Sequence, residues 1–142
     1  MENSHFTKEL KTGDNIKIYC RTNGKWLRVG KDNWLIAKAN NQEYASVFIL
    51  HYQNGLGSFK LQAADTNLYL NYRTMFPFFN QNRYLCVSKD ESENVVFDFE
   101  NKNDINECYI SINEESLFLS DEYVNCLGKK PTKSEFYIQK NN

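Results

Sequence analysis

The stretch Ile16-Lys-Ile-Tyr-Cys-Arg-Thr-Asn-Gly-Lys-Trp-Leu-Arg-Val29 holds two short runs of alternating apolar residues separated by Arg-Thr-Asn-Gly. Alternation with a period of two marks a half-buried strand, and an Asn-Gly turn between two such runs marks a reversal of the chain. The pattern continues through Leu35-Ile-Ala37 and Phe48-Ile-Leu50. Four runs of this kind cannot enclose a core by themselves, so similar units are expected elsewhere in the chain.

They are present. Phe59-Lys-Leu61, Leu68-Tyr-Leu70, Tyr84-Leu-Cys-Val87 and Phe97-Asp-Phe99 form a second set. Ile110-Ser-Ile112, Leu117-Phe-Leu119, Val124-Asn-Cys126 and Phe136-Tyr-Ile138 form a third. No stretch of helical length carries apolar residues at helical spacing, which predicts an all-β chain. The first strands align as Ile16/Phe59/Ile110 with Ile18/Leu61/Ile112, and the second as Trp26/Tyr69/Phe118 with Leu27/Leu70/Leu119. The third strands align as Leu35/Leu85/Val124, the fourth as Phe48/Phe97/Phe136 with Leu50/Phe99/Ile138. Between copies one and two the offsets are 43, 43, 50 and 49, so the register jumps once, at Met75-Phe-Pro-Phe-Phe-Asn-Gln-Asn82. Three four-strand units around an axis can close a barrel and leave few free edges.

Gly24-Lys-Trp-Leu-Arg-Val29, followed by Ala37-x-Ala39 and Phe48-x-Leu50, resembles the repeat of fascin-like and related β-trefoil domains. The residues from Ile18 to Val29 are also similar to the first lobe of fibroblast growth factors, and Leu127-Gly-Lys-Lys-Pro-Thr-Lys133 resembles the basic loop of their third lobe. The resemblance implies a β-trefoil with three pseudo-repeats, at about 14–55, 56–104 and 105–142, in a single domain spanning 1–142. It rests on core positions, which specify fold rather than function.

At 142 residues the chain can bury about 70% of its unfolded surface around one core. Hydrophobic and charged residues stand at 41% and 25%, which points away from disorder and membrane spans, while 15% aromatics favour pleated surfaces. A net charge of −1 gives no field for nucleic acid. Met1 to Leu10 has no apolar core of signal-peptide type. The expectation is a soluble protein, cytoplasmic or exported without a classical signal peptide. Cys20, Cys86, Cys108 and Cys126 are not at CxxC spacing, and buried free thiols are expected in preference to disulfides.

Catalytic, metal and cofactor sites are not expected. His5 and His51 are the only histidines and neither has zinc-type spacing; His51 reads as a surface residue after the fourth strand. No nucleophile elbow, P-loop or dinucleotide glycine pattern occurs. Asp90, Glu91 and Glu93 read as a solvated turn.

Glycan binding is the commonest use of trefoils and needs a ring face beside acids and amides. Three segments could supply it: Asp32-Asn33-Trp34; Asp65 and Asn67 with Asn71 and Tyr72; and Asp121 and Tyr123 with Asn125. Asp and Asn are equally what turns require, and the Gln-x-Trp signature of ricin-type lectins is absent. The insert offers a protein-binding alternative, because Met75, Phe76, Phe78 and Phe79 place four large apolar side chains in a loop. They form either a partner patch or a plug over an open barrel end. Lys129, Lys130, Lys133 and Lys140 read as a solvated face rather than an anion grip. The leading expectation is a lectin-like binding module whose partner is a glycan or a protein. The alternatives are a fascin-like protein-interaction module and a cytokine-like or toxin receptor-binding ligand.

Overall fold

The computed structural model describes residues 10–53, 58–74, 83–90, 95–101, 107–112, 115–126 and 133–141. Each of the twelve alternating runs forms strand. In copy one these are β1 (Asn15–Cys20), β2 (Lys25–Val29), β3 (Leu35–Ala39) and β4 (Phe48–Gln53). Copy two supplies β5 (Ser58–Ala63), β6 (Tyr69–Thr74), β7 (Arg83–Ser88) and β8 (Phe97–Asn101). Copy three supplies β9 (Glu107–Ile112), a second strand broken at Leu117 into β10 (Glu115–Ser116) and β11 (Phe118–Ser120), then β12 (Tyr123–Asn125) and β13 (Phe136–Lys140).

The first and fourth strands of the copies make a closed ring. β1 pairs with β4, β4 with β5, β5 with β8, β8 with β9, β9 with β13, and β13 returns to β1, every pairing antiparallel. The second and third strands form hairpins that cover one end: β2–β3, β6–β7 and β11–β12. This is a β-trefoil, and closure removes the sheet edges that would otherwise stand open.

Strand alternation sends one side chain in two into the barrel. Phe48, Phe97 and Phe136 occupy the same place in the three copies and are each at most 1% exposed. Ile16, Ile18, Leu50, Phe59, Leu61, Ile110, Ile112 and Ile138 complete the interior, as the aligned columns predict. The hairpins add Leu27, Leu35, Leu70, Leu85, Leu117 and Val124.

One alignment is corrected. The Ser46 amide donates to the Leu27 carbonyl at 3.0 Å, and the Ser134 amide donates to the Leu117 carbonyl at 3.1 Å. The hydroxyls repeat the match: Ser46 Oγ accepts from the Val29 amide at 2.9 Å, Ser134 Oγ from the Leu119 amide at 3.0 Å. Leu117, not Leu119, is therefore the counterpart of Leu27, and Phe118 is the counterpart of Arg28 rather than of Trp26. A slip of two residues preserves a period-two pattern, so alternation alone is blind to it.

Candidate functional site

The hairpin strands turn one face to the barrel and the other toward one another around the pseudo-threefold axis, where Tyr84, Cys86 and Asn125 are buried and Arg73 is exposed. On that second face Trp34 bridges to Cys86, Tyr84 pairs with Asn125, and Tyr123 pairs with Ile36. Each copy thus lends a ring and receives the ring of a neighbour. The Trp34 and Tyr84 rings meet edge to face with centroids 6.4 Å apart, as do Tyr84 and Tyr123 at 6.0 Å, the arrangement that ring quadrupoles favour. Arg73 lies over Trp34 with its guanidinium carbon 4.6 Å from the ring centre.

This cluster changes the meaning of the predicted glycan residues. Trp34 and Tyr123 do not head separate sites; they belong to one half-buried assembly with Tyr84. Tyr84 was legible as their counterpart, since the Leu35/Leu85/Val124 column puts all three one residue upstream. Asn125 is 1% exposed. It is withdrawn from any surface contact because Val124 takes the barrel face and leaves Asn125 facing the axis. Asn71 and Tyr72 serve the β6–β7 hairpin: Asn71 Nδ2 donates to the Asp90 carbonyl at 3.3 Å, and Tyr72 packs on the core with Arg83 over its ring at 5.3 Å.

The remaining predicted residues are exposed turn residues. Asn33, Asn67 and Asp121 have φ of 69°, 64° and 57°, a region that Asn and Asp tolerate better than most residues. The Asn33 amide donates to Gly30 and its carbonyl accepts from Val87, which ties the β2–β3 turn, with Asp32 in it, to copy two. Asn67 sits in the β5–β6 turn, where its amide donates to Ala63 as that of Gly24 does to Cys20 in copy one. The segment 65–67 is therefore equivalent to 22–24, not to 32–34 or 121–123.

Two clefts receive what is left. The first, of about 510 Å³, lies where copies one and three meet and is lined by Asn23, Lys25, Lys38, Asn40, Asp121 and Glu122. Its polar groups are largely engaged. Asn23 donates to the Ala37 carbonyl at 3.1 Å, Lys25 donates to Asn40, and Lys38 stands 3.8 Å from Glu122. The second, of about 390 Å³, lies where copies one and two meet and is lined by Arg28, Val29, Tyr44, Ser46, Val47 and Asp65. Tyr44 closes a single 3-10 turn, Gln42–Tyr44, and is 59% exposed. No periodic signal marks that turn, so alternation could not have found Tyr44. The symmetric junction of copies three and one is filled differently: Thr22, the equivalent of Asp65, accepts from the Glu135 amide at 3.1 Å, and Phe118 replaces Arg28.

All four cysteines are free and buried, as expected. Burial raises each thiol, with the neighbouring Glu107 adding to the effect at Cys108 and Glu115 at Cys126; both are pushed to about 12. His51 falls inside β4 rather than after it, with its ring 2.8 Å from Gln62 Oε1. Among the described residues no three His, Cys, Asp or Glu side chains gather in a manner that could hold a metal ion. Lys133 lies over the Tyr109 ring at 4.5 Å and Lys140 stands 3.4 Å from Asp14. Lys129, Lys130 and the insert residues Met75, Phe76, Phe78 and Phe79 lie outside the described residues. No helix among the described residues is long and apolar enough to cross a membrane.

The chain is similar to a solved structure described as the BEL β-trefoil in an apo crystal form, with a TM-score of 0.63 and 16% identity over 93% of this chain and 96% of that one. A likeness at that identity carries the fold alone. No protein-family model matches the chain, and no curated protein matches it.

Proposed function

We propose that the chain is a non-catalytic carbohydrate-binding module and that its sugar site is the cleft between copies one and two. The observation that carries this reading is Tyr44, the most exposed large hydrophobic ring among the described residues, at the rim of a cleft that also holds Arg28, Ser46 and Asp65. A sugar ring offers an apolar C–H face and a rim of hydroxyls. An exposed aromatic face takes the first, while a carboxylate that accepts and a guanidinium that donates fix the second. Neither Arg28 nor Asp65 is joined to a partner by an ion pair among the described residues, which leaves both groups to a ligand.

Titrating the isotope-labelled protein with neutral mono- and oligosaccharides should move the amide signals of residues 44–47 and 64–65. Tyr44→Ala and Asp65→Ala should each weaken binding about tenfold, the loss expected for one ring or charged hydrogen bond worth about 1.4 kcal/mol. A glycan array without hits, together with an unchanged spectrum, would overturn the reading.

A further inference from the structure

We infer that the Arg73–Trp34 pair on the axial face of the hairpins is a second binding site, one for an oxyanion, either the carboxylate or the sulfate of an acidic saccharide. Three observations lead there. First, Arg73 is held. Its guanidinium lies on the Trp34 ring at 4.6 Å, while its backbone is paired with Tyr84 in the β6–β7 ladder. Stacking occupies a face of the guanidinium and leaves N–H edges directed outward, and a fixed fork loses less freedom when it grips two oxygens than a mobile side chain does.

Second, the cation is not neutralised by any described residue. No carboxylate among the described residues stands within ion-pair distance of Arg73, although Arg21 is paired with Glu107 at 2.9 Å. Burial raises the Cys86 thiol, so at neutral pH the sulfur does not supply a negative charge to cancel that of Arg73.

Third, the arrangement belongs to one copy only. The position of Arg73 is taken by Gly30 in copy one, whose amide donates to the Trp34 carbonyl, and by Ser120 in copy three, which pairs with Tyr123. Neither can stack on a neighbouring ring as a cation, so the oxyanion site is single where the fold is threefold. It is also distinct from the Tyr44 cleft, whose lining includes neither Arg73 nor Trp34.

The test follows the Trp34 indole N–H signal during titration with a uronic acid disaccharide, a sulfated disaccharide and their neutral counterpart. Movement with the carboxylated or the sulfated sugar, weakening as salt is added and absent with the neutral one, is the expected result, and which acid moves it identifies the source. Arg73→Gln should abolish the response. Arg73→Lys, which keeps the charge but loses the fork, should weaken it about tenfold. Tyr44→Ala should leave it intact. Equal movement with the neutral sugar, an undiminished response in a folded Arg73→Gln protein, or no movement with either acid at millimolar concentration would overturn the proposal.

Discussion

The barrel and the axial face of its hairpins are built from the same three copies and treat them in opposite ways. Inside the barrel the copies contribute matching residues: Phe48, Phe97 and Phe136 at one level, and Ile16, Phe59 and Ile110 at another. On the axial face equivalent positions carry Trp34, Tyr84 and Tyr123, then Ile36, Cys86 and Asn125, then Gly30, Arg73 and Ser120. A closed barrel demands three similar wedges because each fills a third of one cavity. The axial face demands only that each side chain find a neighbour, so chemistry can differ there without opening the fold. The difference separates residues that make the protein a trefoil from residues that make it this one.

The barrel and the axial face should respond differently to truncation. Phe97→Ala should cost about 3–5 kcal/mol in urea unfolding, because its ring is fully buried in the close-packed barrel core. Tyr123→Ala, on a half-buried ring, should cost about 1–2 kcal/mol. Equal losses would mean that the axial cluster is as much a core as the barrel.

Alkaline pH probes both regions, since Cys108 lies in barrel strand β9 and Cys126 follows hairpin strand β12. Their folded values of about 12 stand above the ordinary 9.0. The stability held by each thiol is complete below pH 9 and is lost as pH rises from there through about 12, because only the unfolded state gives up its proton readily. Melting midpoints should therefore fall across that window, and fall less in a Cys108→Ala, Cys126→Ala double variant. A thiol-reactive dye at pH 8 should label none of the four cysteines until urea is added.

The turns sharpen the threefold reading. Gly24 has φ of 72° and Asn67 holds the same place in copy two. Gly24→Asn should cost a few tenths of a kcal/mol and Gly24→Val about 1–2 kcal/mol, read as shifts in melting temperature. The smallest effect is expected at the rim: Tyr44→Ala should change stability by less than about 0.5 kcal/mol while weakening the proposed sugar binding about tenfold.

These regions also differ in what the amino-acid order discloses. Barrel positions announce themselves, because one buried face imposes alternation and turns impose Gly, Asn and Asp. The two-residue slip of β10 and β11 was hidden, since alternation is unchanged by it and only the Ser134 hydrogen bonds reveal it. Asn125 misled for a related reason. A polar residue between apolar ones reads as outward-facing, yet in a hairpin strand outward means toward the axis. Tyr44 and Asp65 come together from turns of different copies, a proximity no local pattern encodes.

Closure of the ring by β1 against β13 has a consequence for how the molecule is made. Ile18 lies opposite Ile138, roughly 120 positions later, so β1 waits for β13 before its second edge is satisfied. Contacts this distant close slowly, and until they form the nascent chain carries an unpaired strand edge through synthesis, the kind of surface that chaperones hold. The symmetry that makes the finished barrel edgeless thus postpones that state until β13 has left the ribosome.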